Sequence, residues 1–165
     1  MGMGYQLYTD GACQPNPGKG GWSFVLLKNK ETIQIKTGSE ETSTNNIMEM
    51  TAVIKGLEFF KSMNIKEDLT VYSDSKYVID GINEWSYNWK KRGWTKKKGT
   101  IKNLELWKVF RNLTDELIKF LEPEAIVCFK HVPGHMGNEW NETCDTLAQK
   151  CAENKNGKKN KVHDD

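Results

Sequence analysis

Four acids fall where a folded chain could bring them together around a metal. Asp10 ends the first alternating run of the sequence, and Asp74 follows the apolar run at residues 69–72. Both runs predict strands, and functional sites gather at the carboxyl edge of an open α/β sheet. If the two strands are parallel neighbours, their carboxylates converge at that edge. Glu49 and Asp145 lie on two predicted helices that could cover the same edge.

Four carboxylates in one cleft favour bound cations, because like charges within a few ångströms raise one another's pKa. Oxygen ligands suit the hard ions Mg²⁺ and Mn²⁺. Two such ions about 4 Å apart can clamp a phosphodiester, with one lowering the pKa of an attacking water and the other stabilising the leaving oxygen. The chemistry that fits these acids is therefore the hydrolysis of a phosphate ester.

Each acid also has an ordinary structural interpretation. Asp10 suits a turn, since a glycine follows it, and Asp74 suits the N-cap of a helix. Glu49 completes a capping box with Asn46, and Asp145 suits a solvated position on a helix. Taken singly, these interpretations are the stronger ones. Taken jointly, with a basic segment nearby, the acids favour a metal site, and the residue types alone leave both interpretations open.

A basic and aromatic segment follows the helix predicted after Asp74. Seven basic residues and no acid lie between Trp85 and Leu104. The full chain carries a net charge of +2, so setting these seven aside leaves 17 basic residues against 22 acidic ones, a net charge of −5. A basic patch on an otherwise acidic body is typical of proteins that bind a phosphate-rich partner.

Alternating and apolar runs predict five strands. They lie at residues 5–12, 22–27, 32–37, 69–72 and 125–129. The first three predict an antiparallel meander, and the polar residues at 38–45 predict a turn after it.

Apolar residues at helical spacing predict the helices. The first helix has Glu49 in its first turn, and the second runs for about four turns from Asp74 to the basic segment. A third begins near Asn103 and is stopped by Pro123, and a last helix carries Asp145. This order of elements predicts an α/β fold with a single sheet flanked by helices.

The composition fits one soluble domain. The chain has 165 residues, of which 37% are hydrophobic and 28% charged, which is enough to bury a core. No apolar run reaches the length of about 18 residues that a membrane span needs, and no basic-then-apolar leader is present. We expect a cytoplasmic monomer without membrane contact, with a folded domain at residues 1–153 and a disordered polar tail at 154–165. The four cysteines have no framework spacing and are expected to be reduced thiols.

Five motifs, in this order along the chain, resemble those of the ribonuclease H type 1 family. They are YTDG at 8–11, TNNIMEM at 44–50, SDSKYV at 73–78, NWKKRGW at 88–94 and VPGHMGNEWNETCD at 132–145. The resemblance covers about residues 5–153. It implies a ribonuclease H-like fold, with a five-stranded mixed sheet of three antiparallel strands and two parallel additions, flanked by helices. It also implies an endonuclease that cuts the RNA strand of an RNA/DNA hybrid and leaves 5′-phosphate and 3′-hydroxyl ends.

The resemblance also implies roles for the acids. It makes Asp10, Glu49, Asp74 and Asp145 the catalytic metal ligands, with two Mg²⁺ ions expected per site and Mn²⁺ as the alternative ion. His135 matches a mobile histidine of the family that is implicated in proton handling or product release. Without the family, His135 would be interpreted as a loop histidine after a Pro-Gly turn.

Contacts to the RNA strand are implied close to the acids. Asn16, Asn45 and Asn46 match residues that contact the hybrid, and the 2′-hydroxyl that marks RNA lies in its wide, shallow minor groove. Ordinary turn chemistry also explains asparagines at these positions. Ile47 stands where many relatives carry an arginine, so one charged contact to substrate is expected to be missing.

Contacts to the DNA strand are implied further along the chain. Thr44 and Asn103 match a phosphate pocket of the family, and Tyr77 and Trp85 match a channel for the DNA backbone. Trp85 and Trp89 lie four residues apart, so they also fit a stripe facing the core. The full set expected to contact the hybrid is Gly11, Cys13, Asn16, Thr44, Asn45, Asn46, Tyr77, Trp85, Trp89, Lys90, Lys91, Arg92, Trp94, Lys96, Lys97, Lys98 and Asn103.

Two other functions use the same features. A non-catalytic module that binds RNA/DNA hybrids would keep the basic segment, but it would gain nothing from four negative charges beside a phosphate. A DNA-cutting nuclease or transposase-like enzyme could share the fold, but the asparagines near the acids and the Gly-His loop at 134–135 favour a hybrid substrate.

Overall fold

Five strands form one mixed sheet in the computed structural model, which describes residues 4–133. They are β1 (Tyr5–Gln14), β2 (Gly18–Lys28), β3 (Glu31–Ser43), β4 (Leu69–Ser73) and β5 (Val127–His131). Their order across the sheet is β3-β2-β1-β4-β5. The first three strands are antiparallel, while β4 is parallel to β1 and β5 is parallel to β4. The predicted sheet, three antiparallel strands with two parallel additions, is confirmed.

All five strands differ in their bounds from the sequence prediction, with β2 beginning four residues earlier than predicted and β3 extending furthest beyond its predicted end. Residues 38–43, predicted to belong to a turn, continue β3 and pair with β2 as far as Ser43 opposite Gly18. Because β3 lies at the edge of the sheet, most of its side chains are exposed, and polar residues are tolerated there. The turn prediction is wrong, since pairing of the backbone with β2 outweighs the polar composition. The last strand begins at Val127 and extends to His131, two residues later than predicted.

Helix α1 (Asn45–Ser62) begins at a threonine cap. The side-chain oxygen of Thr44 accepts the N–H of Ile47 at 3.2 Å. The predicted capping box of Asn46 and Glu49 is therefore wrong. Because the cap lies two residues earlier, Glu49 falls in the second turn of the helix instead of the first.

The helical segment after β4 has three parts. Ser75, and not Asp74, caps helix α2 (Lys76–Asp80), since the Ser75 hydroxyl oxygen accepts the N–H three residues further on at 3.2 Å. A single π-helical turn follows at Gly81–Trp85, which we call the π-turn, and helix α3 (Ser86–Lys91) completes the segment. The prediction of one continuous helix is wrong at the π-turn.

One hydrophobic core joins the sheet to the helices. Helix α1 lies on β1 and β2, and helix α4 (Leu104–Leu121) packs beside α1 and places Phe110 against Phe129 of β5, with 6.0 Å between ring centroids. The largest fully buried side chains are Leu7, Phe24, Leu26, Met48, Met50, Leu57, Phe60, Leu69, Trp107, Phe110, Leu117 and Leu121. Close packing of this kind gives a rigid platform, on which side chains at the strand edge keep fixed positions.

Two further findings concern the cysteines and the helices of residues 4–133. Cys13 and Cys128 are free thiols, as predicted. Among the helices in this range, none combines the length and the apolar composition needed to cross a bilayer.

Candidate functional site

The register of the sheet brings two of the predicted acids together. Thr9 of β1 lies opposite Ser73 of the parallel strand β4, and the next residue of each strand is an aspartate. The prediction that Asp10 ends β1 is wrong, because β1 continues beside β2 to Gln14. The strand that stops at this point is β4, which ends at Ser73. Asp10 and Asp74 therefore meet at the carboxyl edge of the parallel pair, which is the expected convergence.

Glu49 reaches the same edge from α1. One carboxylate oxygen from each of Asp10, Glu49 and Asp74 lies within 4.8 Å of the others. The close approach of the helix depends on Gly11, because a Cβ there would overlap the backbone of Met48 and Glu49. The Gly11 N–H donates to Asp10 Oδ1 at 2.9 Å and to Glu49 Oε1 at 3.2 Å. Gly11 thus allows the close approach of α1, and its N–H bonds to two of the acids.

We call the region around these three acids the acid cleft. Its electrostatics favour a cation, because the pKa of Glu49 is raised well above its ordinary value, first by burial and then by the negative charge of Asp74. Hydrogen bonds to Asp10 and to the Gly11 N–H act in the opposite direction without cancelling these effects. A hard divalent cation would compensate both the lost solvation and the crowding of charge. The carboxylate oxygens at this spacing therefore fit Mg²⁺ or Mn²⁺.

Two members of the predicted catalytic set are not located. His135 and Asp145 lie outside the described residues, as does the helix predicted to carry Asp145. Their roles stay predictions.

Asparagines line the acid cleft where α1 begins. Asn45 Oδ1 accepts the N–H of Cys13 at 2.7 Å, and the Asn45 N–H donates to Asn16 Oδ1 at 3.0 Å. These bonds tie the start of α1 to β1 and to the turn before β2. Asn46 also lines the cleft and is exposed. Burial raises the pKa of the Cys13 thiol, so Cys13 serves this region through its backbone N–H and not as a nucleophile.

A second pocket lies along α3 and the chain after it. We call it the aromatic-basic pocket, and it is lined by Tyr77, Trp85, Asn88, Trp89, Arg92, Lys96 and Lys102. Trp107 of α4 lies against it, with its ring centroid 6.5 Å from Trp85 and 5.9 Å from Trp89. Trp89 thus packs against the core through Trp107, as one interpretation from sequence predicts, and it also lines the pocket, while its contact with nucleic acid stays a prediction.

The Tyr77 hydroxyl is fixed by two donors. Trp107 Nε1 donates to it at 3.0 Å and Asn103 Nδ2 at 3.1 Å. Asn103 precedes α4 with a left-handed φ of 58°, and Thr44 caps α1. The two residues expected to form a phosphate pocket therefore stand at the N-termini of two helices, where backbone N–H groups favour anions.

Helix α3 ends in a Schellman motif. The Gly93 N–H bonds to the Lys90 carbonyl oxygen at 3.1 Å, and the Trp94 N–H bonds to the Trp89 carbonyl oxygen at 2.7 Å. Gly93 has the left-handed φ of 71° that this motif requires. Trp94 is half-buried and packs on the core, so the lysines after it start from a fixed point.

Two of the predicted substrate-binding lysines are already held by the protein. Lys90 Nζ lies 2.8 Å from Asp115 Oδ2 and 3.0 Å from Asn112 Oδ1, both on α4. Lys91 Nζ lies over the ring of Tyr87, 4.9 Å from its centroid. These cations contribute to the charge of the surface while their side chains are engaged elsewhere.

The other basic residues divide between the pocket and open solvent. Lys97 and Lys98 are exposed and stand apart from the pocket lining. Asn88 and Lys102 line the pocket but are missing from the set expected from sequence. Asn88 could have been found, because residues 85, 88, 89 and 92 share one face of a helix. Lys102 carries no such signal. Ala12, Gln14 and Ser75 line the acid cleft and are also missing from that set.

Comparisons with known proteins agree with this geometry. The family described as RNase H matches residues 3–153 of the chain. A protein named Ribonuclease H from Francisella tularensis subsp. novicida (strain U112) is 46% identical over 144 residues, which is 87% of each chain. The crystal structure of LC9-RNase H1, a type 1 RNase H with the type 2 active-site motif, has a TM-score of 0.76 at 25% identity, over 94% of this chain and 75% of that one. LC11-RNase H1 in complex with an RNA/DNA hybrid has a TM-score of 0.65 at 20% identity, over 90% of this chain and 96% of that one, a likeness of fold alone.

Proposed function

The chain belongs to the ribonuclease H family of metal-dependent endoribonucleases, and we propose that it hydrolyses the RNA strand of RNA/DNA hybrids by two-metal-ion catalysis. The observation that carries this proposal is the convergence of Asp10, Glu49 and Asp74 within 4.8 Å at one strand edge. The aromatic-basic pocket supports it as a separate surface for a polyanion.

We assign the ions to four acids. Asp10, Glu49, Asp74 and Asp145 would hold two Mg²⁺ ions, with Mn²⁺ as the alternative. When bound, such ions lower the pKa of an attacking water and stabilise the charge on the leaving oxygen. The raised pKa of Glu49 supports this assignment. Burial and the charge of Asp74 destabilise the ionised carboxylate, and a nearby cation would stabilise it.

The proposed reaction leaves 5′-phosphate and 3′-hydroxyl ends. The water oxygen bonds to phosphorus, the bond from phosphorus to the 3′-oxygen breaks, and the leaving oxygen takes up a proton. His135 is proposed to handle a proton or to help release the product. Asp10 and Glu49 are kept in place during these steps by their shared bond to the Gly11 N–H.

The asparagines beside the acid cleft are proposed to recognise RNA. The side-chain oxygens of Asn45 and Asn16 accept backbone N–H groups of the protein, so each amide leaves its NH₂ end to meet a ribose hydroxyl oxygen. Asn46 lies beside them in the cleft lining. Contacts to the 2′-hydroxyl distinguish RNA from DNA, and they are made in the wide minor groove of the hybrid.

The aromatic-basic pocket is proposed to hold the DNA strand. Arg92, Lys96 and Lys102 bring three positive charges to a wall formed by Trp85 and Trp89. Cations bind phosphates without regard to sequence, and indole rings offer faces against which sugars and bases can pack. In this proposal the RNA strand is cut at the acid cleft, and the DNA strand is bound at the aromatic-basic pocket.

The acid cleft argues against the two other candidate functions. A non-catalytic module would place three carboxylates beside a phosphate and gain only repulsion. A DNA-cutting enzyme would have no use for amides that meet a 2′-hydroxyl. The cytoplasmic location, the monomeric state and the domain limit at residue 153 stay predictions.

A cleavage assay tests the proposal. We expect labelled RNA/DNA hybrid to be cut in its RNA strand with Mg²⁺ or Mn²⁺ but not with a chelator, while duplex DNA of the same sequence stays intact. Cutting of duplex DNA at a matching rate would exclude recognition of the 2′-hydroxyl. Tight binding of the hybrid without cleavage in either metal would favour the non-catalytic module.

Asp10→Asn tests the assignment of the acids. This variant removes one carboxylate oxygen with almost no change in shape, so we expect it to abolish cleavage while hybrid binding persists. Asp80→Asn is the matched control, because Asp80 pairs with Lys76 on the surface and lies outside the cleft lining. Retained cleavage by Asp10→Asn would contradict the assignment.

A further inference from the structure

A buried arginine outside both pockets holds the π-turn. Arg111 of α4 is 5% exposed. Its Nη1 donates to the carbonyl oxygen of Ile82 at 2.9 Å and to Ser86 Oγ at 3.3 Å. Its Nε and Nη2 donate to Asp115 Oδ1 at 3.0 Å and 2.8 Å. Burying a cation is costly unless it is paired, and here part of the pairing is made by the π-turn itself.

The arginine supplies a donor where the π-turn removes one. In an α-helix the Ser86 N–H would bond to the carbonyl oxygen of Ile82, four residues back. In this structure it bonds to Gly81, five residues back, as a π-turn requires. The Ile82 carbonyl group thus loses its α-helical partner, and the Arg111 guanidinium takes that place.

The same side of α4 also holds the other end of α3. Asp115 accepts from Arg111 through Oδ1 and from Lys90 through Oδ2, the latter at 2.8 Å. Lys90 donates in addition to Asn112 Oδ1 at 3.0 Å. We call Arg111, Asn112 and Asp115 the α4 clamp. It fastens the helical segment at the π-turn and again near the end of α3.

The π-turn sets the rotation of α3 about its axis. Each residue of an α-helix advances by about 100°, so the extra residue in the π-turn rotates everything after it by that amount. Trp85 and Trp89 directly precede the clamped residues Ser86 and Lys90. Without the π-turn, the two indole rings would turn away from Trp107, and the aromatic-basic pocket would lose its wall.

We propose that Arg111 and Asp115 are positioning residues for the substrate grip. Neither residue lines the acid cleft or the aromatic-basic pocket; they act by fixing the rotation of α3. This inference rests on the proposed function, in which that pocket holds the DNA strand of the hybrid. Because the acids lie on other elements, loss of the clamp weakens binding of the hybrid and spares turnover at saturation.

Two neighbouring acids of α4 offer a matched test. Asp115→Asn removes the charge that faces Arg111 and Lys90, whereas Glu116→Gln removes the charge that pairs with Lys61 of α1 at 2.9 Å. We expect Asp115→Asn to raise KM for labelled hybrid about tenfold with kcat changed less than about twofold, the pattern of a binding defect. We expect it also to shift the tryptophan fluorescence of the folded protein. Glu116→Gln should change none of these.

Other results would overturn the inference. If Asp115→Asn and Glu116→Gln agree in KM and in fluorescence, or if kcat falls while KM stays, the clamp does not position the pocket. Circular dichroism at the assay temperature checks folding. Should Asp115→Asn not fold, Arg111→Lys takes its place. Lysine keeps the positive charge but lacks the guanidinium group, which bonds to Asp115 and Ile82 at the same time. Arg111→Lys should then raise KM in the same direction, and an unchanged KM would overturn the inference.

A third variant separates this inference from the proposed function. Lys96→Gln/Lys102→Gln changes the pocket lining directly. If it leaves KM unchanged, the proposed grip on the hybrid fails. If it raises KM while the clamp variants do not, only the positioning role fails.

Discussion

The acid cleft and the aromatic-basic pocket are built in opposite ways. Asp10, Glu49 and Asp74 come from three elements and meet because strand register and one glycine contact bring them together. The pocket is lined by one helical segment and the chain after it, and Trp107 packs against its rings. Metal ligands must be placed within a fraction of an ångström, and regular elements do this better than loops. A polyanion needs only positive charges and aromatic ring faces, and such contacts tolerate small shifts of the side chains that make them.

The two regions also differ in charge, which gives each a separate task. The cleft concentrates negative charge and would repel a phosphate without bound cations. The pocket concentrates positive charge on Arg92, Lys96 and Lys102 and attracts phosphate directly. Under the proposed function, substrate is therefore held mainly by the pocket, and metal ions are needed chiefly at the cleft.

Alanine in place of Gly11 or of Gly93 should show the largest difference between the acid cleft and the aromatic-basic pocket. In Gly11→Ala the new methyl group overlaps the backbone of α1 at Met48 and Glu49, so the helix must shift relative to β1 and disturb the spacing of Glu49 and Asp10. We expect kcat to fall about 100-fold, since displacements near 1 Å can cost that much. Gly93→Ala meets no atom within 4 Å, and its backbone strain lies beside the pocket. It should leave kcat nearly unchanged, and a kcat loss equal to that of Gly11→Ala would show that the cleft is no more demanding than the pocket.

Removal of the charges of two lysines at a time should have an effect of intermediate size on hybrid binding. Lys96→Gln/Lys102→Gln and Lys97→Gln/Lys98→Gln remove the same charge, but only the first pair lines the pocket. We expect the first pair to weaken hybrid binding about tenfold and to reduce the slope of log K against log salt by up to about two, since each neutralised phosphate adds about 0.9. Titrations at several salt concentrations measure both. Equal effects of the two pairs would mean that net charge matters and the pocket does not.

The smallest effect concerns stability and pH. The pKa of Glu49 is higher in the folded chain than the value of about 4.3 expected for an unfolded one. Protons therefore favour the folded form, and the penalty from this group appears as pH rises past the unfolded value and is complete above the folded one. We expect Glu49→Gln to raise the melting temperature at pH 7 with a chelator by a few degrees, at roughly 2–4 °C per kcal/mol, with little change at pH 4.

A control and a metal titration sharpen the stability measurement. Glu58→Gln removes an exposed acid from the same helix and should change the melting temperature little at either pH. Adding Mg²⁺ should stabilise the unmodified protein more than Glu49→Gln, because the cation offsets the penalty only where the carboxylate is present. Equal stabilisation of the two would argue that Glu49 is not a ligand.

Much of the fold could be predicted from sequence because local patterns carry it. Alternation marked the strands, and helical spacing marked α1 and α4. What failed was set by distant contacts: the polar end of β3 at Ser43 is strand only because β2 pairs with it. The π-turn was hidden for the same reason. Gly81 lies against the Trp107 ring, where a Cβ would overlap it, and Arg111, 29 positions after Ile82, donates to the carbonyl oxygen of that residue in the π-turn.

The candidate site shows the same division. Three of the predicted acids converge, and the features that pointed to them, their residue type and their place beside a predicted strand or on a predicted helix, are visible in a sequence. Their exact meeting depends on the register of Thr9 with Ser73, which no local pattern reveals. Arg111 was missed because it occupies an apolar position of α4, between Phe110 and Thr114 on the buried face. A cation at such a position is a signal that could have been used.

Gly93 differs from Gly11 in a way that concerns handedness instead of space. A left-handed φ of +71° suits a residue of reversed configuration. D-alanine, introduced by chemical ligation, adopts this conformation without strain and would also restrict the unfolded chain. The end of α3 is thus a position where the mirror-image residue suits the backbone, while at Gly11 it is lack of space, and not handedness, that excludes L-alanine.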